Sequence, residues 1–412
     1  MPDADSWADV ATSGAVVVDM ADILTHAAAP SGIRVIGLRS PSRGWEGAPM
    51  IPTLTDGDVT LRAHRPEDAQ GSFEQCQDPS SQRWTTVPVP YSMADARTFV
   101  EEVCPGGWAD DSEWAFAIEH GGRYGGTISL RNEGSGRAEI AYGSHPAVRG
   151  TGVVERALRL LLEWGFAEKG LQTVIWYAHV GNWASRKVAW RLGFSYDGMV
   201  RRWQPQRGEL RDCWVGTLLR DDPREPATTW LANPVVEGDG VRLRPFTEAD
   251  VARVVEGIGD PDTQYWLAFM PRDPGEAEGR QYLETVQERL ATGHTITWAF
   301  SATDDDRLLG AVGLYRFDSE PEIGYWSHPD ARGRGLTTRA AGLGIRYAFE
   351  TLGLDRLAGF ASATNTASLK VLETNGLRRA GVLRNAARTG TGEAVDLVGY
   401  DLLAEEWAAP RR

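Results

Sequence analysis

A run from Val59, VTLRAHRPEDA, returns from Val241 as VRLRPFTEADV. Much the same displacement carries WAFAI at Trp114 to WAFSA at Trp298, EIAYGSHPAVRGTG at Glu139 to EIGYWSHPDARGRG at Glu322, and NWASRKVAWRLGF at Asn182 to NTASLKVLETNGL at Asn365. A spacing that stays at 182 to 184 residues is far longer than a solenoid unit of about 20–50 residues, so the chain is a duplicated domain. Its 412 residues also exceed one ordinary core. The junction falls at 220–240, RDDPREPATTWLANPVVEGDG, where prolines, acids and glycine gather. The expected division is an N-terminal extension over 1–50, a first domain over 51–222 and a second over 236–412. Residues 1–50 have no counterpart in the second half, and apolar pieces such as Ala15 to Val18 mark them as an appended, partly ordered segment.

Within each copy the periodicity changes in a fixed order. Alternating apolar and polar residues from Val59 or Val241 give a strand, and the Glu-Asp pair after it starts a helix. Two strands follow in each copy, EWAFAIE and YGGTISLR or TWAFSAT and LLGAVGLYR, joined by polar turns. A strand ending in His-Pro then leads through a glycine turn into a helix of about five turns. A further strand, a shorter helix after Asn182 or Asn365 and two closing strands complete the unit. The expected fold class is α/β (α+β): two tandem domains, each a mixed, mostly antiparallel sheet flanked by helices.

The net charge of -14 excludes the basic footprint that sequence-independent nucleic-acid binding needs, so no nucleic-acid partner is expected. No apolar run reaches the roughly 18 residues that span a bilayer, and the acidic start MPDADSWADV is unlike a secretory signal. Cys76, Cys104 and Cys213 fit neither a zinc site nor a disulfide framework. A cytoplasmic protein without membrane anchor or metal is the expectation, and nothing in the residues selects an oligomeric state. His145 and His328 lack a second histidine at ligand spacing. Asp212 and Asp396 recur near the end of the sheet, where a turn or ion pair suits them better than catalysis. Of the sixteen tryptophans, Trp114 and Trp298 recur at matched strand positions and read as core. Trp183, Trp190, Trp203 and Trp214 occur in copy one alone and line either an acceptor pocket or, as expected here, a domain interface.

The turn before the long helix carries the chemistry. A helix N-terminus leaves backbone N–H groups unpaired and about half a positive charge from the summed peptide dipoles. Glycines let the main chain approach a ligand, the arginines add charge, and phosphate is the natural guest. The plain alternative is a turn that needs only flexible backbone. Against it, Arg149-Gly150-Thr151-Gly152 and Arg332-Gly333-Arg334-Gly335 recur at the same place, each followed about 30 residues later by Asn-x-x-Ser. Asn182 and Asn365 also suit plain helix N-capping.

With those residues in view, each half resembles the GCN5-related N-acetyltransferases (GNAT), most closely the Rim-type branch, over about 55–220 and 238–405. The family signature Arg/Gln-x-x-Gly-x-Gly/Ala falls on Arg149, Gly152 and Val154 and on Arg332, Gly335 and Thr337, so both copies lack the small last residue. The resemblance implies acetyl-CoA as acyl donor, its pyrophosphate held by Arg332, Gly333, Arg334, Gly335, Leu336 and Thr337, and less well by Arg149, Gly150 and Gly152. Val154 is bulky and Glu155 adds a carboxylate there. Asn365 and Asn182 would hold the pantetheine arm, and a backbone N–H near Tyr325 to Ser327 would meet the carbonyl oxygen.

Direct transfer to an amine requires one proton removed and one delivered. The resemblance implies Glu322, with Glu139 as its equivalent, for the first role. The tyrosine that many relatives use for the second is replaced by Phe194 and Leu377, which shifts the expectation to Ser368 and Ser185. The expected activity is acyl-CoA-dependent N-acetyl transfer to a small-molecule or peptide amine, with the second half the catalyst. The alternatives are a non-catalytic scaffold or CoA-sensing protein, and transfer of a different acyl group.

Overall fold

The repeat folds into two sheets with the same strand order. The structure, a computed structural model, describes residues 50–317 and 319–408; the expected N-terminal segment lies outside the described residues, except for Met50. In the first half the elements are β1 (Leu54–Asp56), β2 (Val59–Arg62), α1 (Asp68–Gln77), α2 (Pro79–Trp84), α3 (Met93–Thr98), α4 (Cys104–Ala109), β3 (Glu113–His120), β4 (Arg123–Gly134), β5 (Arg137–Ser144), α5 (Val153–Glu168), β6 (Thr173–His179), α6 (Trp183–Arg191), β7 (Gly198–Gln206) and β8 (Glu209–Leu219). The second half gives β9 (Val236–Gly238), β10 (Val241–Arg244), α7 (Val251–Gly259), α8 (Pro261–Trp266), α9 (Glu276–Ala291), β11 (Thr295–Ala302), β12 (Asp305–Tyr315), β13 (Glu322–Ser327), α10 (Leu336–Glu350), β14 (Arg356–Ser362), α11 (Thr366–Thr374), β15 (Arg378–Arg388), β16 (Ala394–Leu403) and a last short helix, α12 (Ala404–Ala408).

The strands lie in the order β1-β2-β3-β4-β5-β6-β8-β7, and likewise β9-β10-β11-β12-β13-β14-β16-β15. Among the described residues every neighbouring pair is antiparallel except β5 with β6 and β13 with β14. Those two pairs are joined through α5 and α10, because parallel neighbours need a crossover long enough to return the chain. Helix α5 is 16 residues long and α10 is 15, a little over four turns each rather than the five expected. Their apolar faces pack on the sheets: Leu158, Leu161 and Leu162 join Ile128, Leu130 and Val174 in the first core, and Ala340, Leu343 and Ile345 join Val312, Leu314 and Leu357 in the second. Trp114 and Trp298 are buried in these cores, as their matched positions imply.

The aspartate at the start of the first α-helix of each copy also ties that helix to the strand before it. Asp68 accepts two hydrogen bonds from Arg62 at 2.7 and 2.9 Å, and Asp250 two from Arg244 at 2.8 Å each. All four side chains are buried, and pairing within a bidentate geometry is what makes such burial tolerable.

The parallel pairs are short. β5 pairs with β6 only from Arg137–Thr173 to Ile140–Trp176, although β5 continues to Ser144 and β6 to His179. In the second half the register holds at the single pair Glu322–Ala358. Each sheet therefore opens into a fork, and the long helix begins just beyond the end of the fork's first strand.

Candidate active site

The turn into α5 or α10 is set by its two glycines. Gly150 and Gly152 have φ of 74° and 82°, and Gly333 and Gly335 of 70° and 68°, left-handed values at which any side chain strains the backbone. No atom lies within 4 Å of where a Cβ would stand on any of the four, so the turn faces open space. The N–H groups of Gly333 to Thr338 find no backbone acceptor among the described residues; the next amide, of Arg339, bonds Gly335 O. In the first half the amides of Gly152 to Glu155 likewise find no backbone acceptor among the described residues. A row of unpaired amides at a helix start, bent so that no side chain covers it, fits a pyrophosphate.

The signature arginines already have partners within the protein. Arg332 is held by Asp260, by Asp262 at 3.1 Å and by the Thr263 hydroxyl at 3.0 Å. Arg149 is held by Asp78 at 2.8 Å, Ser81 at 2.9 Å and Ser144 O at 3.1 Å. Asp78 and Asp260 cap α2 and α8, accepting the Ser81 and Thr263 amides at 2.9 Å each. Burial works to raise the Asp260 carboxyl, but Arg332 and the Thr263 amide outweigh it and hold it below the usual carboxylate range. These guanidinium groups bind the long helix's turn to the helices across the sheet, and the recurring Asp-Pro at 78 and 260 was the sequence signal for it. Among the described residues Arg334 reaches Asp330 O, at 3.2 Å. In the first half, Glu155 is drawn to Arg159 at 3.1 Å and Arg191 at 3.5 Å, so its charge is balanced within the protein.

Glu139 and Glu322 stand at the base of the forks, in the last paired stretch. Burial pushes both carboxyls above the ordinary value, while Arg131 and Arg316 pull the other way. Arg131 contacts Glu139 at 3.3 Å and Arg316 contacts Glu322 at 3.9 Å. A carboxylate made more basic by burial is suited to taking up a proton.

Ser185 and Ser368 sit on the other face. Side chains alternate along a strand, so Tyr325, three residues after Glu322, points away from it, and its hydroxyl meets Ser368 Oγ at 3.1 Å. Tyr142 meets Ser185 Oγ at 2.7 Å. The side chains of these tyrosines were not singled out from the sequence, where Tyr325 entered only for its backbone, although both recur at the repeat's own spacing. Burial raises both phenols, Tyr325 to about 12, against the pull of the serine hydrogen bonds. Asn182 and Asn365 cap α6 and α11, accepting the Ser185 and Ser368 amides at 3.2 and 3.1 Å. Phe194 and Leu377 are core residues.

The remaining candidates make their contacts within the protein. His328 is buried against Arg253 at 3.0 Å and Glu256 at 3.1 Å, and no group of three or more potential metal ligands occurs among the described residues. All three cysteines are free and buried. No described helix is long and apolar enough to cross a membrane. Trp183 and Trp214 enclose Arg186, which reaches into the second half, and Trp190 contacts the linker at Thr228 O and Trp230. Trp203 departs from the interface expectation: it is exposed beside Tyr177.

With the geometry established, comparison with known proteins gives one family twice. The profile described as "Acetyltransferase (GNAT) domain" matches residues 58–195 and again 241–378. YdaF of Bacillus subtilis (strain 168) is 38% identical over 106 residues, 25% of this chain and 57% of YdaF, so the match spans little more than half of that relative. The uncharacterized N-acetyltransferase p20 of Bacillus licheniformis is 26% identical over 172 residues, 41% of this chain and 94% of p20. Among solved structures, a GNAT-family acetyltransferase from Bacillus anthracis superposes with a TM-score of 0.37 at 23% identity, covering 42% of this chain and 99% of that one. The ribosomal L7/L12 α-N-protein acetyltransferase RimL gives 0.38 at 18%, covering 42% and 97%.

Proposed function

The chain belongs to the GNAT acetyltransferase family, with two copies of the domain in tandem, and from that premise we propose that it transfers acetyl from acetyl-CoA to an amine, with the second half as the principal catalyst. The supporting observation is the fork beside the open turn. In the second half, six consecutive unpaired amides from Gly333 to Thr338 stand where a pyrophosphate would be held, beside Thr337, whose hydroxyl meets Ser327 Oγ at 2.5 Å. Asn365 fixes the start of α11 on the far side of the fork.

A donor threading the fork places its carbonyl in the gap between β13 and β14. Glu322 serves the acceptor on one face, taking the amine proton directly or through water. Ser368, oriented by Tyr325, faces the departing sulfur on the other. Backbone N–H groups on β13 past the fork meet the carbonyl oxygen. Attack and departure on opposite sides of the carbonyl suit the two chemical roles, and the alternation of a strand supplies the separation.

Acetyl-CoA titrated calorimetrically into the wild-type protein and into Gly335→Glu and Gly152→Glu tests the reading. We expect binding in the wild type and loss of the main binding event in Gly335→Glu; no binding by any form would overturn it. Ser368→Ala should lower turnover about tenfold with little change in donor affinity. Glu322→Gln should slow transfer most at the acid end of the pH profile, where the acceptor amine is most protonated. The second reading, a CoA-sensing protein, takes its support from Phe194 and Leu377, which cannot donate a proton; binding without turnover on any amine or thioester would select it.

A further inference from the structure

The two serines do not have the same neighbours. Ser185 Oγ lies 3.0 Å from the indole Nε1 of Trp176 as well as 2.7 Å from the Tyr142 hydroxyl, whereas Gly359 stands where Trp176 would be in the second half. Trp176 is at the apex of the fork, the last residue of β6 paired with β5, and is 2% exposed. The difference is packed on both sides: a Cβ on Gly359 would come within 2.8 Å of Leu372, where the first half has the smaller Ala189. From this geometry we propose that the first half is a second acyl-transfer site, in which Trp176 and Tyr142 are positioning residues that orient Ser185 as proton donor to the departing sulfur.

An indole N–H can only donate, so Ser185 Oγ must accept from it. The Ser185 amide is already committed to Asn182, which fixes the serine's place on α6. The Tyr142 proton has two acceptors, Ser185 Oγ and, at 3.3 Å, the Ser185 carbonyl. With the indole proton on Oγ, and the phenol's beside it, the serine's own proton is left to point into the fork. Two donors on one oxygen also stabilise the charge that grows there as this proton leaves, and burial strengthens both bonds. Among the described residues, Ser368 Oγ meets one side chain, Tyr325, at 3.1 Å.

The proposal rests on acetyl-CoA being the donor, and the first half meets the same structural requirements. Its turn is open, its helix-start amides are unpaired, and Glu155 is balanced by Arg159 and Arg191. The amine nitrogen bonds to the acetyl carbon as the carbon–sulfur bond breaks. Glu139 takes the amine's proton and passes it to solvent. The sulfur takes the Ser185 proton and Ser185 is restored by a proton from solvent through the fork, so an amide and a free thiol are the only products.

The test uses the full chain carrying Gly335→Glu, which closes the second turn. Calorimetry should show one acetyl-CoA still bound. With free CoA bound instead, the pH dependence of its alkylation by iodoacetamide reports its thiol directly, since Cys76, Cys104 and Cys213 are buried. Donation from Ser185 should hold that thiol below the value for CoA in solution, and Trp176→Phe should return it upward by about one unit. The same variant should lower kcat about tenfold, with KM for acetyl-CoA within about twofold, when CoA release is followed with a pool of free α-amine peptides and spermidine. Because Trp176→Phe also trims the core, 3-benzothienylalanine at position 176, which keeps the indole's shape without its N–H, should reproduce both effects. An unchanged thiol titration and kcat in that isosteric variant, or one bound acetyl-CoA with no turnover by the Gly335→Glu protein, would overturn the proposal. Absence of acetyl-CoA binding by the wild type would instead sink the donor assignment on which it stands.

Discussion

At the scale of single residues, the turn and its arginine separate two kinds of contribution. Arg332 is spent on Asp260, Asp262 and Thr263, so Arg332→Ala should act mainly on stability, at about 1 kcal/mol for a half-exposed pair, and leave KM for acetyl-CoA within about threefold. Gly335→Ala, which adds a Cβ at a φ of 68°, should cost about 1 kcal/mol in backbone strain and raise that KM by misaligning the amides. Thermal melts beside donor titrations check both; a large KM effect from Arg332→Ala with unchanged stability would return the arginine to the ligand. Glu322 gives a pH test that needs no acceptor. Its folded value is raised above the ordinary 4.5 by burial, so its contribution to stability is fully present below pH 4.5 and is lost as pH rises through the folded value. Glu322→Gln should therefore melt higher than wild type at pH 8, by an amount that shrinks toward pH 4.5. A difference that does not vary with pH would contradict the buried carboxyl.

At the scale of elements, the closing hairpins show a device used twice. Pairing of β7 with β8 shifts between Val200 and Gln204, and that of β15 with β16 between Leu383 and Ala387. In each bulge a non-glycine residue adopts a left-handed φ, Arg202 at 49° and Asn385 at 52°, and its amide is taken by Asp212 at 2.7 Å or Asp396 at 2.8 Å. Asp396→Ala should cost about 1 kcal/mol, and Asn385→Gly should cost nothing or stabilise; urea melts of the two variants decide it. The recurrence of the two aspartates was legible, and a turn or an ion pair was the expected use. The bulge was not, because alternation alone does not show where a strand takes an extra residue. The fork has the same history. Strand, turn and long helix followed from the change of period around His145 and His328, whereas the loss of pairing after Ile140 or Glu322 is a property of two strands at once. Trp176 shows the limit most plainly: a tryptophan in an apolar strand reads as core, and only the placement of α6 brings its N–H to Ser185.

At the scale of the whole molecule, the duplication is held together by a contact that neither copy carries alone. Arg186, next to Ser185 on α6, is 5% exposed, with its guanidinium 4.0 Å from the Tyr196 ring centroid and 4.8 and 5.2 Å from those of Trp214 and Trp183. It bonds both carboxylate oxygens of Glu288 on α9, at 2.5 and 3.0 Å. The linker adds to this, for Trp190 Nε1 bonds Thr228 O in the first half, and Leu231 N and the Trp298 indole bond Leu290 O and Pro234 O in the second. The charges are unequally placed, since Glu288 is 40% exposed by side chain and Arg186 only 6%. Removing Glu288 leaves a buried cation with aromatic faces alone, whereas removing Arg186 leaves a carboxylate that water can reach. Glu288→Ala should therefore cost about 3 kcal/mol, and Glu288→Gln less, because the amide oxygen still accepts. If the pair couples the halves, wild type should unfold in one calorimetric transition, and Glu288→Ala should split it in two as each core melts by itself. Two transitions already present in the wild type would show that the duplicated domains merely share a chain, and the Arg186 contact would then belong to the first half's stability alone.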